Sequence, residues 1–376
     1  MALTLTNFKP IAFSGSAEAS HPDVIHVDDD GMVTAAASSG SKEIDCGGAY
    51  LSPGWCDLHV HVWHGGTDIS VRPGDAGRAT GVTAMADAGS AGEASFHGLR
   101  EYVIEPSSET IRAFLNIGSI GLVACNRVPE LIDLRSIDID RTLEVIEANR
   151  DVICGVKVRA SGVIVGSWGI TPAKIAKRVA EIAGLPLMVH VGEPPPLIDE
   201  VFDILTPGDI VTHCFNGKRA GAITDTAALY AQARQLADNG VLMDIGHGVA
   251  SFDFTTARKA IGDGMVPYSI STDLHMRNID GPVHDLATTA SKLAAVGLPF
   301  EDCVQAMTNR PRKVLALGGS DGLETGQRAD FTVFDYANAD ILATDSQGNT
   351  LTLSKAFEPR MTVIGSSVMP AARRQG

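Results

Sequence analysis

The chain has 376 residues, 44% of them hydrophobic and 20% charged, a balance that excludes a largely disordered protein. That length accommodates an α/β barrel of roughly 250 residues plus a smaller unit of about a hundred. A formal net charge of −15 argues against nucleic acid and anionic membranes as partners, since both select basic surfaces.

Residues 1–53 alternate short apolar–polar stretches with turn formers (SGSAEASHPD, VDDDGMV, SSGSKEIDCGG), which predicts small strands joined by tight turns. The opening MALTLTNFKP lacks the basic region and apolar core of a signal peptide. From 54 to 315 the pattern changes to short apolar runs alternating with helical segments, the pattern of βα units around a parallel sheet. Eight strands are predicted there: Cys56–Val62, Val82–Asp87, Arg112–Ser119, Val152–Arg159, Pro186–Val191, Asp209–Cys214, Gly240–His247 and Pro267–Asp273. Helices are predicted over Ile139–Asn149, Thr226–Asp238 and His284–Val296. Another starts with Thr171 as N-cap and Pro172 behind it, and stops at Gly184. After Gly318 strand character returns in RADFTVFD and RMTVIGSS, with turn-forming DSQGNT between them. The expected architecture is a (β/α)8 TIM barrel over 54–315, with a small β-sandwich domain built from 1–53 and 316–376. Six cysteines without a CxxC read as reduced, isolated thiols, so the expected compartment is the cytoplasm.

Ligand-type residues fall at the ends of the predicted strands. His59 and His61 close the first, two residues apart and so on one face. Lys157 stands between valines in the fourth, where a buried charge is costly unless something neutralises it. Desolvation lowers a lysine pKa and frees its amine, and a free amine can add carbon dioxide to become an anionic carbamate. A lysine snorkelling beside an acid is the competing reading. His190 ends the fifth strand, His213 the sixth and Asp273 the eighth. Singly each is ordinary, but all six share the end of the barrel where such folds place catalytic groups, and imidazole and carboxylate suit zinc and similar metals.

The order HxH, Lys, His, His, Asp resembles that of the binuclear amidohydrolase superfamily, and GQRADFTVFD resembles the closing strand of its small sandwich. More narrowly, KVRAS, GSWGITP, MVHVGEPP, THCFNGK, DIGHG, SISTDLH and DLATTASKL resemble a dihydroorotase-like amidohydrolase/deacetylase subgroup. The resemblance implies two divalent metal ions, Zn2+ foremost. His59 and His61 would hold the buried ion with Asp273, His190 and His213 the exposed one, and carboxylated Lys157 would bridge them. A hydroxide shared by the ions would attack an acyl carbon while Asp273, the catalytic residue, moves the proton.

Weaker candidates for substrate binding are Arg159, as a partner for a carboxylate or else a structural salt bridge, together with His275, Asn216 and Gly217. Asp57, Asp244 and His247 read as supports for the ligands. The expected reaction is deacetylation of small acylated carboxylates, N-acetyl amino acids or O-acetyl 2-hydroxy acids. A cyclic amidohydrolase of dihydroorotase or hydantoinase type is the alternative, and a non-catalytic scaffold the alternative of another class. The expected partner is a small-molecule substrate, and the oligomeric state is open, a homo-oligomer included.

Overall fold

The computed structural model describes residues 1–11, 23–125, 127–131, 133–317 and 323–374. The predicted turn SGSAEASHPD, apart from Asp23, and the Gly318 boundary lie outside these residues. Seven parallel strands form one curled sheet in sequence order: Trp55–Val60, Val82–Gly92, Thr110–Asn116, Ile153–Ala160, Leu187–Val191, Ile210–Thr212 and Leu242–Asp244. The first two are buried along their whole length, as expected of parallel strands covered on both faces.

The eighth predicted strand, Pro267–Asp273, closes the barrel without forming a regular ladder. Isolated bridges join Ser269 to Asp244 and Leu274 to Val60. His247 donates to the Ser271 carbonyl at 3.1 Å, and Asp273 donates to the His59 carbonyl at 2.6 Å. Regularity fails because Asp273 has a φ of 50°, off the extended region that strand pairing requires.

A small apolar cluster drawn from the strands (Cys56, Leu58, Ala84, Phe114, Met188, Ile210) fills the barrel floor, with Leu315 beneath. A larger one joins the strands to the surrounding helices. Helix Thr171–Ala183 buries Ala173, Ala176, Val179, Ala180 and Ala183, an i, i+3/i+4 stripe, and ends at Gly184 in the left-handed region. Its N-cap is Ile170, not Thr171, and carries no side-chain cap. The helix Ala227–Asp238 is capped by Thr226, and Leu286–Ala295 by Asp285.

The terminal segments meet. Four strands from residues 3–45 form one sheet; Tyr50–Pro53 and Lys9–Pro10 join three C-terminal strands in the other. Leu3, Leu5, Ile25, Phe331, Val333 and Val363 pack into one core between them, the packing of a sandwich. Two C-terminal strands are longer than their sequence suggests, Asp330–Thr344 and Thr350–Ile364, paired as one hairpin. Its tip reaches the barrel: Asp345 accepts from the Phe254 amide at 3.0 Å, and Ser346 donates to the Phe252 carbonyl at 2.9 Å. Among the described residues no helix is long and apolar enough to cross a membrane.

Candidate metal centre

Five of the six predicted ligands line one cavity of about 230 Å³ at the C-terminal ends of the strands: His59, His61, Lys157, His190 and Asp273. His213 stands beside it, with its ring centroid 4.3 Å from that of His190 and 5.2 Å from that of His59. A larger groove of about 640 Å³, at Gly184, Pro207 and Lys313, opens near the starts of the strands and holds no such cluster.

Protein contacts orient the rings through Nδ1. His59 Nδ1 is 2.8 Å from Thr212 Oγ1, His61 Nδ1 is 3.0 Å from Ser90 Oγ, and His213 Nδ1 donates to the Gly246 carbonyl at 2.5 Å. The opposite nitrogens converge. His59 Nε2 and His61 Nε2 lie 3.4 and 3.1 Å from Asp273 Oδ1, and Lys157 Nζ lies 3.2 Å from His59 Nε2. His213 Nε2 is buried with no hydrogen-bond partner, an orphaned acceptor whose chemistry fits a metal. Donor atoms of His59, His213 and Asp273 all fall within 4.8 Å of one another. Imidazoles with one carboxylate fit divalent first-row cations.

Electrostatics favour that use. Burial, reinforced by Lys157, holds His59 well below the usual histidine range. Burial does the same to His190 and brings His213 to about 3; all three rings are therefore neutral and open to a cation. Burial alone would raise Asp273, but His59 and His61 beside it hold it well below the carboxylate range. Lys157 is 1% exposed, and burial lowers it to about 7.

A support layer lies beneath. Asp244 accepts from Thr212 Oγ1 and Ser271 Oγ, both at 2.7 Å, and so anchors the hydroxyl that orients His59. Asp57 accepts from the Thr272 hydroxyl and from the His59 amide. His213, with φ of 70°, and Asp273 both occupy the left-handed region, a strain of order 1–3 kcal/mol each for residues with a side chain. Gly89 is needed at its place on the second strand: a Cβ there would lie 2.7 Å from Lys157 Cγ.

Predicted substrate contacts fare differently. Arg159 lines the cavity, but its Nε and one terminal nitrogen donate to Glu130 at 2.7 and 2.6 Å. The salt bridge is thus what the fold makes of Arg159, because a fully buried Glu130 needs a cation. Asn216 donates its side-chain amide to the His213 and Gly221 carbonyls. Gly217 does not line the cavity, and a Cβ there would meet Asp253 and Gln347. His275 lines the cavity, its ring 6.4 Å from that of His61. Cys214 is fully buried among apolar neighbours.

Residues 50–369 match the amidohydrolase family. The chain belongs to that family. It is therefore a hydrolase of a metal-dependent superfamily, with its His/Asp cluster at the family's end of the barrel. It is 54% identical to a deacetylase of Agrobacterium fabrum (strain C58), over 99% of this chain and 92% of that protein. A crystal structure of a dihydroorotase is 52% identical, with a TM-score of 0.95 over 100% of this chain and 99% of that one. An adenine deaminase crystal structure is 32% identical, with a TM-score of 0.88 over 98% of this chain and 99% of that one.

Several residues of this amidohydrolase escaped the sequence reading. Thr212 precedes a ligand and Ser90 sits in a small-residue run, and neither type signals support of a histidine. Arg277 also lines the cavity, and no carboxylate among the described residues pairs with it. Lys218 pairs with Glu193 at 2.9 Å beside the same wall.

Proposed function

We propose that this amidohydrolase is a binuclear metal-dependent deacylase, cleaving an acyl amide or ester in a small carboxylate-bearing molecule. One observation carries the reading: oriented Nε2 atoms, a low-pKa carboxylate and a deprotonatable buried lysine surround a single small cavity. His59, His61 and Asp273 would hold one cation and His190 and His213 the other, with carboxylated Lys157 between them. Zinc is the expected metal. Bound cations supply a water of lowered pKa and a Lewis acid for the carbonyl.

The chain's own groups do the rest. Lys157, about half of it the free amine at pH 7, adds carbon dioxide through its lone pair and gives up one N–H proton to solvent, so that an anionic carbamate stands among the ligands in place of a buried amine. Asp273 takes the proton of the attacking water and returns it to the leaving nitrogen or oxygen. Its Oδ1 faces the histidine pair, while Oδ2 faces the turn at Gly248. Leu122, Val163 and Ile164 give the cavity an apolar side, which excludes water from the acyl group. Arg277 lines the cavity with no carboxylate partner among the described residues, and would receive the substrate's own carboxylate. The resemblance to proteins named deacetylases supports acetyl as the acyl group. The 52% identity with a protein solved as a dihydroorotase favours a second reading, a cyclic amidohydrolase.

The test is a hydrolysis panel on protein supplied with zinc and bicarbonate: N-acetyl amino acids and O-acetyl 2-hydroxy acids as separate enantiomers, against dihydroorotate and hydantoins. Acetate release is expected, and ring opening alone would replace the deacylase reading by the cyclic one.

A further inference from the structure

Two motifs of the sequence meet behind the site: DIGHG, whose Asp244 and Gly246 support its ligands but whose His247 does not touch them, and DLATTASKL. Lys292, from the second, is fully buried on helix Leu286–Ala295. Its Nζ lies 2.9 Å from Nε2 of His247, 2.5 Å from the Pro282 carbonyl and 2.7 Å from the Thr344 carbonyl. Carbonyls only accept, so the lysine must donate to both. His247 Nδ1 lies 2.9 Å from the Gly248 carbonyl, so Nδ1 carries the ring proton and Nε2 accepts from the lysine. Three acceptors meet three N–H donors. The same Gly248 carbonyl accepts from Ser346 Oγ at 3.1 Å, at the hairpin tip.

Gly248 is where this network touches the site. Its φ is 56°, and a Cβ there would lie 2.6 Å from Asp273 Oδ2, so the turn backbone forms the wall behind that carboxylate. The amides of His247 and Gly248 donate to the carbonyls of Ser271 and Thr272, at 3.1 and 2.9 Å, just ahead of Asp273. Lys292, His247 and Ser346 do not line the cavity.

We propose that Lys292 is a positioning residue. Through the His247 ring it fixes the turn at Gly248, and with it the Asp273 carboxylate, while the C-terminal hairpin completes the clamp through Thr344 and Ser346. This rests on the reading of Asp273 as the proton carrier. Its consequence is that the sandwich side of the molecule takes part in placing the catalytic group.

The test uses Lys292→Met, which keeps the stem and removes the donors, and Ser346→Ala, a half-buried position whose loss leaves the core intact. Each is measured for kcat and KM on whichever acetyl compound of the panel is turned over, and for the visible absorption of the cobalt(II)-loaded protein. Lys292→Met should lower kcat about 10- to 100-fold, and Ser346→Ala about two- to fivefold, with KM within about twofold, since small displacements of a reacting group carry losses of this order. The cobalt band should shift in both. If Lys292→Met does not fold, Ser346→Ala decides. An unmoved kcat or an unmoved cobalt band overturns the proposal, as does a loss that tracks only the folded fraction. Full turnover in Asp273→Asn would instead show that the reading of Asp273 is at fault.

Discussion

Two buried lysines, one under the cavity and one behind it, make an instructive pair. Both are about fully enclosed, 1% and 0% exposed, and burial pushes both down from the ordinary 10.5 to about 7. Their surroundings differ. Lys157 Nζ has a neutral histidine nitrogen at 3.2 Å and the Met188 thioether at 3.4 Å, one fair acceptor and one weak one. Lys292 has three good acceptors. A buried ammonium short of partners is costly, so the charged form of Lys157 is the less well satisfied of the two and that of Lys292 the better.

The largest effect expected from this contrast is on catalysis. Lys157→Ala should lose roughly a thousandfold or more in kcat/KM, together with bound metal, because the proposed carbamate could no longer form. Metal analysis beside the kinetics checks it. Full turnover with full metal would remove Lys157 from the chemistry and leave two structural lysines.

A third buried cation sharpens the comparison. Arg159 is held bidentately by Glu130, whose pKa burial would raise but the guanidinium keeps low. Glu130→Gln should destabilise the fold by about 3 kcal/mol, the order found when one partner of a buried pair is removed, as read by denaturant unfolding. A change under about 0.5 kcal/mol would mean that solvent or ligand already shares Arg159.

Lys157 and Lys292 should also part in stability. In metal-free protein Lys292→Met strands three acceptors and should lower stability by about 1–3 kcal/mol. Lys157→Met leaves few acceptors unsatisfied and should be neutral or stabilising. Equal losses from both would erase the distinction.

How much of this was visible in the sequence follows the same physics. His59, His61, His190, His213 and Asp273 stood out because polar residues at the ends of apolar runs interrupt a period that chemistry alone explains. Glu130 was invisible as a partner, since it sits in a loop 29 residues before Arg159 with no period linking the two. The turn role of Asn216 was not legible either: its amide answers the carbonyls of its own turn, a local use that a loop asparagine commonly has. Lys292 reads as one more polar position of a helix, and only the meeting of three separate segments reveals its acceptors. The eighth strand was placed correctly in sequence but not as a regular strand, because the left-handed backbone at Asp273 is set by the site rather than by propensity. Hairpin length was underread too: YANADI lies within Asp330–Thr344, although Asn and Asp are poor strand formers.

The smallest effect is a slope. Lys157 has a folded pKa of about 7 against 10.5 when exposed. Below about pH 7 it is protonated in both states, and the cost of the buried charge is fully present. Above 10.5 it is neutral in both, and the cost is gone. Between these values the unfolded chain binds the extra proton, so this group makes stability rise with pH, by at most about 1.4 kcal/mol per unit. The buried Cys56 and Cys303 thiols, raised by burial to about 12 and beyond, act oppositely at alkaline pH, so the comparison must be variant against wild type. In metal-free protein, denaturant unfolding at pH 7, 8 and 9 should show a smaller rise, or a steeper fall, in Lys157→Met than in wild type. Parallel curves would mean that Lys157 stays charged in the fold up to pH 9. A lysine that stays charged lacks the free amine that carbamate formation requires.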